Sequence, residues 1–102
     1  MTEQRKRIYN LLMISYDENK RRGNISRHGF DFVGAEEIFA GFTICREDRR
    51  DAYGEKRFQS IGLWNGVVVF VVHTARGEAA HLISSRKAEK HEARIYWKNY
   101  PG

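Results

Sequence analysis

The chain has 102 residues, enough for one domain with its own core, and its 41% hydrophobic content argues against disorder. A net charge of +5 and a pI near 9.6 call for a polyanionic partner, either a nucleic acid or an acidic protein. No apolar run approaches the roughly 20 residues of a membrane span, the basic N-terminus lacks the apolar core of a secretory signal, and the lone Cys45 excludes an intrachain disulfide and fits a reducing cytoplasm.

Residues 1–12 are charged, then weakly apolar, and suggest an N-terminal extension or an expression remnant, with Met13 as an alternative start. Residues 13–102 read as a single domain. Met13 to Asp17 alternates and predicts a short first strand. Asp17 can cap a helix over 18–27 through its side-chain oxygen. Lys20, Asn24 and His28 fall at i, i+4 and i+8 of that helix, on one face. His28-Gly29 ends it, because glycine tolerates the left-handed conformation and histidine suits the negative helix end. A second helix is expected from Asp31 as cap, with Phe32, Ala35, Ile38 and Phe39 as its apolar stripe and Gly41 as its stop. Residues 42–46 predict a strand in which Cys45 is a small, buried or half-buried side chain. Residues 47–55 predict a charged loop.

The strongest local signal follows. Asn65-Gly66 lies between two apolar runs, and both central residues of a type I′ turn need positive φ. That turn pairs Leu63 with Val68, Ile61 with Phe70, Gln59 with Val72 and Arg57 with Thr74. Val67 to Val72 is an unbroken β-branched and aromatic run, as in a central strand covered on both faces. The open end of this hairpin carries Arg57, Gln59, His73, Thr74 and Arg76, and function is expected there. A turn centred on Arg76-Gly77 predicts a strand over 79–84 with His81 opposite Val72. Ser84 or Ser85 then caps a last helix over 86–99, with Ala88, Glu92, Ile95 and Tyr96 in one stripe and Pro101 beyond its end. The expected class is α+β: a short strand, two helices, a four-stranded antiparallel meander and a C-terminal helix.

Several chemistries find no support. No HExxH or CxxC spacing occurs, and His91 and Glu92, adjacent on a helix, are not expected to face one metal ion. A phosphate-cradling glycine loop and a GxSxG elbow are also absent from the sequence. What remains is a cationic set, Lys20, His28, Arg57, Arg76, His81, Arg86 and Arg94, which suits a phosphodiester. RNA cleavage without a metal needs no outside nucleophile, because the 2′-hydroxyl attacks the neighbouring phosphorus. It needs a base, an acid and cations around the developing charge. Metal ligands and cofactors are therefore expected to be none. A non-catalytic nucleic-acid-binding module, or a co-repressor acting through a partner, uses the same cations and is the alternative.

The order of motifs adds to this. Asp17, Lys20, Asn24, His28, Gly29 and Phe32 resemble the opening of BrnT-type toxins, which read roughly WDxxKxxxNxxKHGxxF. Gly54-Glu55-Lys56-Arg57 with Ile61-Gly62 resembles their GExR…IG segment. Thr74 and Arg76, then Ile83-Ser84-Ser85-Arg86-Lys87-Ala88, Glu92 and Tyr96, resemble their TxR…IISxRxAxxxE…Y ending. Tyr16 replaces the usual Trp, Arg27 a common Lys, and His81 stands where Arg is frequent.

The resemblance implies a RelE-like fold and a ribonuclease toxin of a type II toxin–antitoxin pair. It implies a BrnA-like antitoxin with a ribbon-helix-helix domain, a 2:2 heterotetramer, and contact with operator DNA only through that antitoxin. Within it, Arg76 and Arg86 are the expected phosphate and transition-state binders, and His28 and His81 the proton-transfer candidates. Lys20, Arg57 and Arg94 would bind RNA, with Asn24, Glu55, Glu92 and Tyr96 in support.

Overall fold

Asn65 and Gly66 both adopt positive φ, 52° and 78°, and the turn they form sets the sheet. Strands β3 (Arg57–Trp64) and β4 (Val67–Arg76) flank it, in the register the turn dictates: Leu63 opposite Val68, Ile61 opposite Phe70, Gln59 opposite Val72, Arg57 opposite Thr74. The computed structural model describes residues 13–102 except Asp51 and Tyr53. The expected extension, residues 1–12, lies outside the described residues, as do Asp51 of the charged loop and Tyr53.

Around this hairpin the chain runs β1 (Ile14–Tyr16), α1 (Glu18–His28), α2 (Glu36–Ala40) and β2 (Ile44–Asp48) before it, and β5 (Ala79–Lys87) and α3 (Lys90–Asn99) after it. The class is α+β. The sheet has five strands in the order β1-β5-β4-β3-β2, mixed rather than purely antiparallel, because β1 pairs parallel with β5. Strands β2 to β5 form the expected meander, with β4 in the middle and buried on both faces from Val68 to Thr74.

Alternation along the paired strands assigns the faces. Val69, Val71, His73, Trp64, Ser60 and Leu82 point to one side, where α1 and α2 pack. The apolar stripe of 32–39 fills this side, with Phe32, Ala35 and Ile38 fully buried. Helix α2 is shorter than its pattern predicts. Asp31 accepts from the Val33 N–H and pairs with Arg21 instead of capping a helix, and Gly34 turns the chain at φ 92°. Gly62 explains how α2 reaches the sheet: a Cβ there would sit 2.8 Å from Ile38 Cγ2. Asn24 ties α1 to the same side. Its amide donates to the carbonyls of Phe30 and Ser85 and accepts from the Ser85 N–H.

Gln59, Ile61, Phe70, Val72, Thr74, His81, Ser84 and Arg86 point to the second side. Helix α3 covers only part of it, near Ile61 and Phe70. Cys45, expected buried or half-buried, is exposed on the edge strand β2. Glu47 and Asp48 belong to β2, not to the loop. His73, expected at the functional end, is buried on the first side between Phe39 and Phe58, its Nε2 2.8 Å from Ser60 Oγ. Among the described residues, no helix is long and apolar enough to cross a membrane.

The end of the chain departs most from expectation. The β4–β5 turn is centred on Gly77-Glu78, so His81 faces Thr74 and not Val72; its side of the sheet is unchanged. Strand β5 runs on to Lys87 past a bulge at Ile83, and α3 starts at Lys90. Glu89, not Ser84 or Ser85, caps α3. It forms a capping box with Glu92, whose backbone N–H and side chain complete the reciprocal pair. Arg86 therefore lies in a strand and does not open a helix.

Candidate active site

Three strand residues and one helix residue converge at the open end of the sheet. Arg57 pairs with Thr74, and Arg76 lies one diagonal step away on the same face. His81 pairs with Thr74 from the other strand. Thr74 itself is buried, and its hydroxyl donates to the Lys56 carbonyl at 2.6 Å, which pins the start of β3 beside β4. Lys20 arrives from the first turn of α1, whose start is fixed by Asp17 accepting from the Asn19 and Lys20 N–H groups.

The result is a cleft of about 400 Å³, lined by Tyr16, Asp17, Lys20, Glu55, Arg57, Arg76, His81, Leu82 and Ile83. Five of the residues singled out in the sequence meet here: Lys20, Glu55, Arg57, Arg76 and His81. Glu55 reaches Arg57 Nε at 3.4 Å and Arg76 Nη2 at 3.8 Å, so one carboxylate stands between two guanidinium groups. His81 is half-buried, and its Nδ1 lies 2.8 Å from Ser15 Oγ. Burial, with Arg76 nearby, holds its imidazolium form below the ordinary range, against a weaker pull from Asp17 and Glu55. A cleft rich in donors, with a largely neutral imidazole, can hold a phosphodiester and move a proton beside it.

The other candidates lie elsewhere. His28 closes α1 two turns beyond Lys20, about 12 Å along the axis, next to Gly29 at φ 75°. Asn24 is buried in the α1–β5 clamp already described. Arg86 forms a two-pronged fork with Glu92, Nη1 to Oε1 at 2.9 Å and Nη2 to Oε2 at 3.0 Å, and lies 4.2 Å over the Phe70 ring. The hydrogen bonds that Arg86 donates to Glu92 raise its already high proton affinity. Glu92 is nearly buried; that burial opposes its charge, but Arg86 and the Glu89 N–H outweigh it and hold its carboxyl low. Tyr96 is fully buried and donates its hydroxyl to the Phe42 carbonyl at 2.9 Å. Arg94 is exposed on α3. Beside this helix runs a second groove of about 260 Å³, floored by Ile44, Ile61 and Phe70.

His91 and Glu92 do come together, contrary to expectation. Among the described residues, Glu89, His91 and Glu92 bring ligand atoms within 4.8 Å of one another. Glu89 and Glu92 are already engaged in the capping box and the Arg86 fork, so the cluster is a helix start.

Sequence reasoning read Ser15 and Tyr16 as part of a short strand and gave Ser15 no role at the site. A parallel pairing between residues more than 60 positions apart leaves no local trace. Thr74 stands where the hairpin register placed it, opposite Arg57 at the open end.

Among curated proteins none matches the chain. A family model described as ribonuclease toxin, BrnT, of type II toxin-antitoxin system matches residues 16–92, which span every cleft residue named above. The chain therefore belongs to the BrnT family of ribonuclease toxins of type II toxin–antitoxin systems.

Proposed function

We propose that the chain is a metal-independent endoribonuclease whose chemistry takes place in the cleft between β1, β5, β4 and the start of β3. The observation that carries this reading is the convergence of Lys20, Arg57, Arg76 and His81 from four separate elements on one cleft, with Glu55 between the two arginines. Arg57 and Arg76 take the phosphate oxygens and meet the charge that grows on them as the phosphorane forms. His81, largely neutral near pH 7, accepts the proton of the 2′-hydroxyl as its oxygen bonds to phosphorus. Lys20, the ammonium of the cleft, returns a proton to the departing 5′-oxygen. The products are a 2′,3′-cyclic phosphate and a 5′-hydroxyl. Glu55 spaces the two guanidinium groups. His28, Arg86 and Arg94 lie outside this chemistry, and Arg86, Asn24, Glu92 and Tyr96 hold the fold.

The family supplies the setting: a protein antitoxin as partner and RNA as substrate. In this reading the fold is RelE-like, and cleavage arrests translation and growth in a bacterial cytoplasm. A BrnA-like antitoxin with a ribbon-helix-helix domain covers the cleft in a 2:2 complex and carries the toxin to operator DNA. The test is incubation of the purified chain with single-stranded RNA in excess EDTA, beside Arg76→Ala. Cyclic-phosphate ends made by the parent chain and about 10²–10³-fold less by the variant are expected. Cleavage that needs added Mg²⁺, or RNA bound but never cut, would overturn it, the latter in favour of a binding module.

A further inference from the structure

We propose that Ser15 is a positioning residue that aims the His81 ring into the cleft; this rests on the reading of His81 as the proton-transfer group. Ser15 stands opposite His81 in the parallel pairing of β1 with β5, and its Oγ lies 2.8 Å from His81 Nδ1. An imidazole has two nitrogens, and the hydrogen bond at one decides what the other can do. With Nδ1 held by Ser15, Nε2 is the nitrogen left for a substrate in the cleft that His81 lines.

The choice of a hydroxyl matters. It can accept from Nδ1–H or donate to a bare Nδ1, so the ring keeps its anchor whichever way the proton moves. A carboxylate in the same place would fix the ring too, but would also favour the charged form. Ser15 orients His81 without adding charge, so burial first, then Arg76 on β4 against Asp17 at the start of α1 and Glu55 before β3, set its titration. Arg57 and Lys20 line the same cleft.

Ser15 is itself well fixed. Tyr16, the next residue, turns to the opposite side of the sheet and packs on buried Phe32, ring centroids 5.7 Å apart. The Ala80 N–H donates to the Met13 carbonyl at 3.0 Å, and residues 14 to 16 pair in register with 80 to 82. This gives the short first strand a purpose beyond edge pairing: it carries the anchor for the catalytic ring on one side and a core aromatic on the other.

Three variants of the full chain test this: Ser15→Ala, Ser15→Thr and Ser15→Asp. His81 is followed by imidazole nitrogen NMR in RNA-free protein, and cleavage by its pH profile. Ser15→Ala should mix the two tautomers of His81 and slow cleavage by about 10- to 100-fold, the scale of a misplaced reacting group, with Tm unchanged. Ser15→Thr should restore both. Ser15→Asp should raise the His81 titration midpoint by about one pH unit or more, and the acid limb of the cleavage profile should follow it. A tautomer and midpoint unmoved in Ser15→Ala and Ser15→Asp would overturn the proposal, as would a slower Ser15→Ala explained wholly by a lower Tm. A midpoint that moves in Ser15→Asp while the cleavage profile stays would overturn the role given to His81 and leave the contact standing.

Discussion

Arg76 and Arg86 stand on the same side of the same sheet, and their surroundings could hardly differ more. Arg86 has a matched partner: one carboxylate, two parallel hydrogen bonds, an aromatic ring beneath it and a helix start closing over it. Arg76 has a shared partner at 3.8 Å, beyond hydrogen-bond length, because Glu55 also serves Arg57. Among the described residues lining the cleft, the other carboxylate, Asp17, is already bonded to the backbone of α1. The lesson is that an arginine's task shows in how completely its charge is answered. A saturated guanidinium holds structure together, whereas one facing too few carboxylates is ready for an anion from outside.

The comparison breaks if the two arginines respond alike. The largest effect should come from Arg76→Ala, which should lower cleavage by about 10²–10³-fold and leave Tm within about a degree or two, since an exposed side chain contributes little stability. Thermal melting beside RNA cleavage decides this.

The next effect concerns acid, and it separates chemistry from folding. Burial pushes His73 down from 6.5 to about 4. The unfolded chain takes up a proton that the folded chain refuses. Stability is therefore whole above pH 6.5 and drains as pH falls from there toward about 4, with about 2 kcal/mol gone by pH 5. Urea midpoints between pH 7 and 5 should show this slope in the parent and a flatter one in His73→Gln. Cleavage lost over the same range while the fold persists then belongs to His81.

Arg86→Ala should reverse the pattern of Arg76→Ala. It strips a nearly buried carboxylate of its partner and should cost about 1–3 kcal/mol, a fall in Tm of at least about 4 °C, with cleavage per folded molecule kept. Smallest is the effect on salt. Arg76→Ala should make the log–log salt slope of RNA binding shallower by about 0.7, one phosphate contact on a single strand. Arg94→Ala, on exposed α3, should leave the slope alone. An equal change in both would mean that RNA also runs along α3.

Much of the frame could be read from local chemistry. Asn65-Gly66 gave its turn and the pairing of eight residues, because positive φ at two adjacent positions leaves one hairpin geometry. Asp17 and Gly29 bounded α1 for equally local reasons. The reading failed where a distant contact ruled. Alternation after Gly77 could not foresee the bulge at Ile83. The serines at 84 and 85 offered a plausible helix cap, whereas the chain continued as a strand to serve Phe70 and Val69 across the sheet. Arg86 was expected at a helix start for that reason and lies instead in the strand, opposite Phe70. The hairpin register placed Arg57 and Arg76 together at its open end, but charge and resemblance alone did not bring Lys20 and His81 beside them. Nothing in the sequence said that Lys20 would meet His81 while His28, on the same helical face, would not.

The bulge has a wider consequence. His81 and Arg86 are five positions apart, an odd number, so uninterrupted pleating would send them to opposite sides of the sheet. Between the pairs Val72–Ser84 and His73–Leu82 the strand gains one residue and changes phase. One strand thus carries two addresses: up to Leu82 it is written for the cleft, and from Ser84 on for the helix that follows. Ile83 is the space between the words. Deleting it would leave a regular pleat with Arg86 still opposite Phe70. Drawing it into the pairing instead would shift every later residue by one, turn Arg86 away from Phe70 and Glu92, and deliver the C-terminal helix to the side of the sheet already filled by Phe32, Ile38 and Phe39.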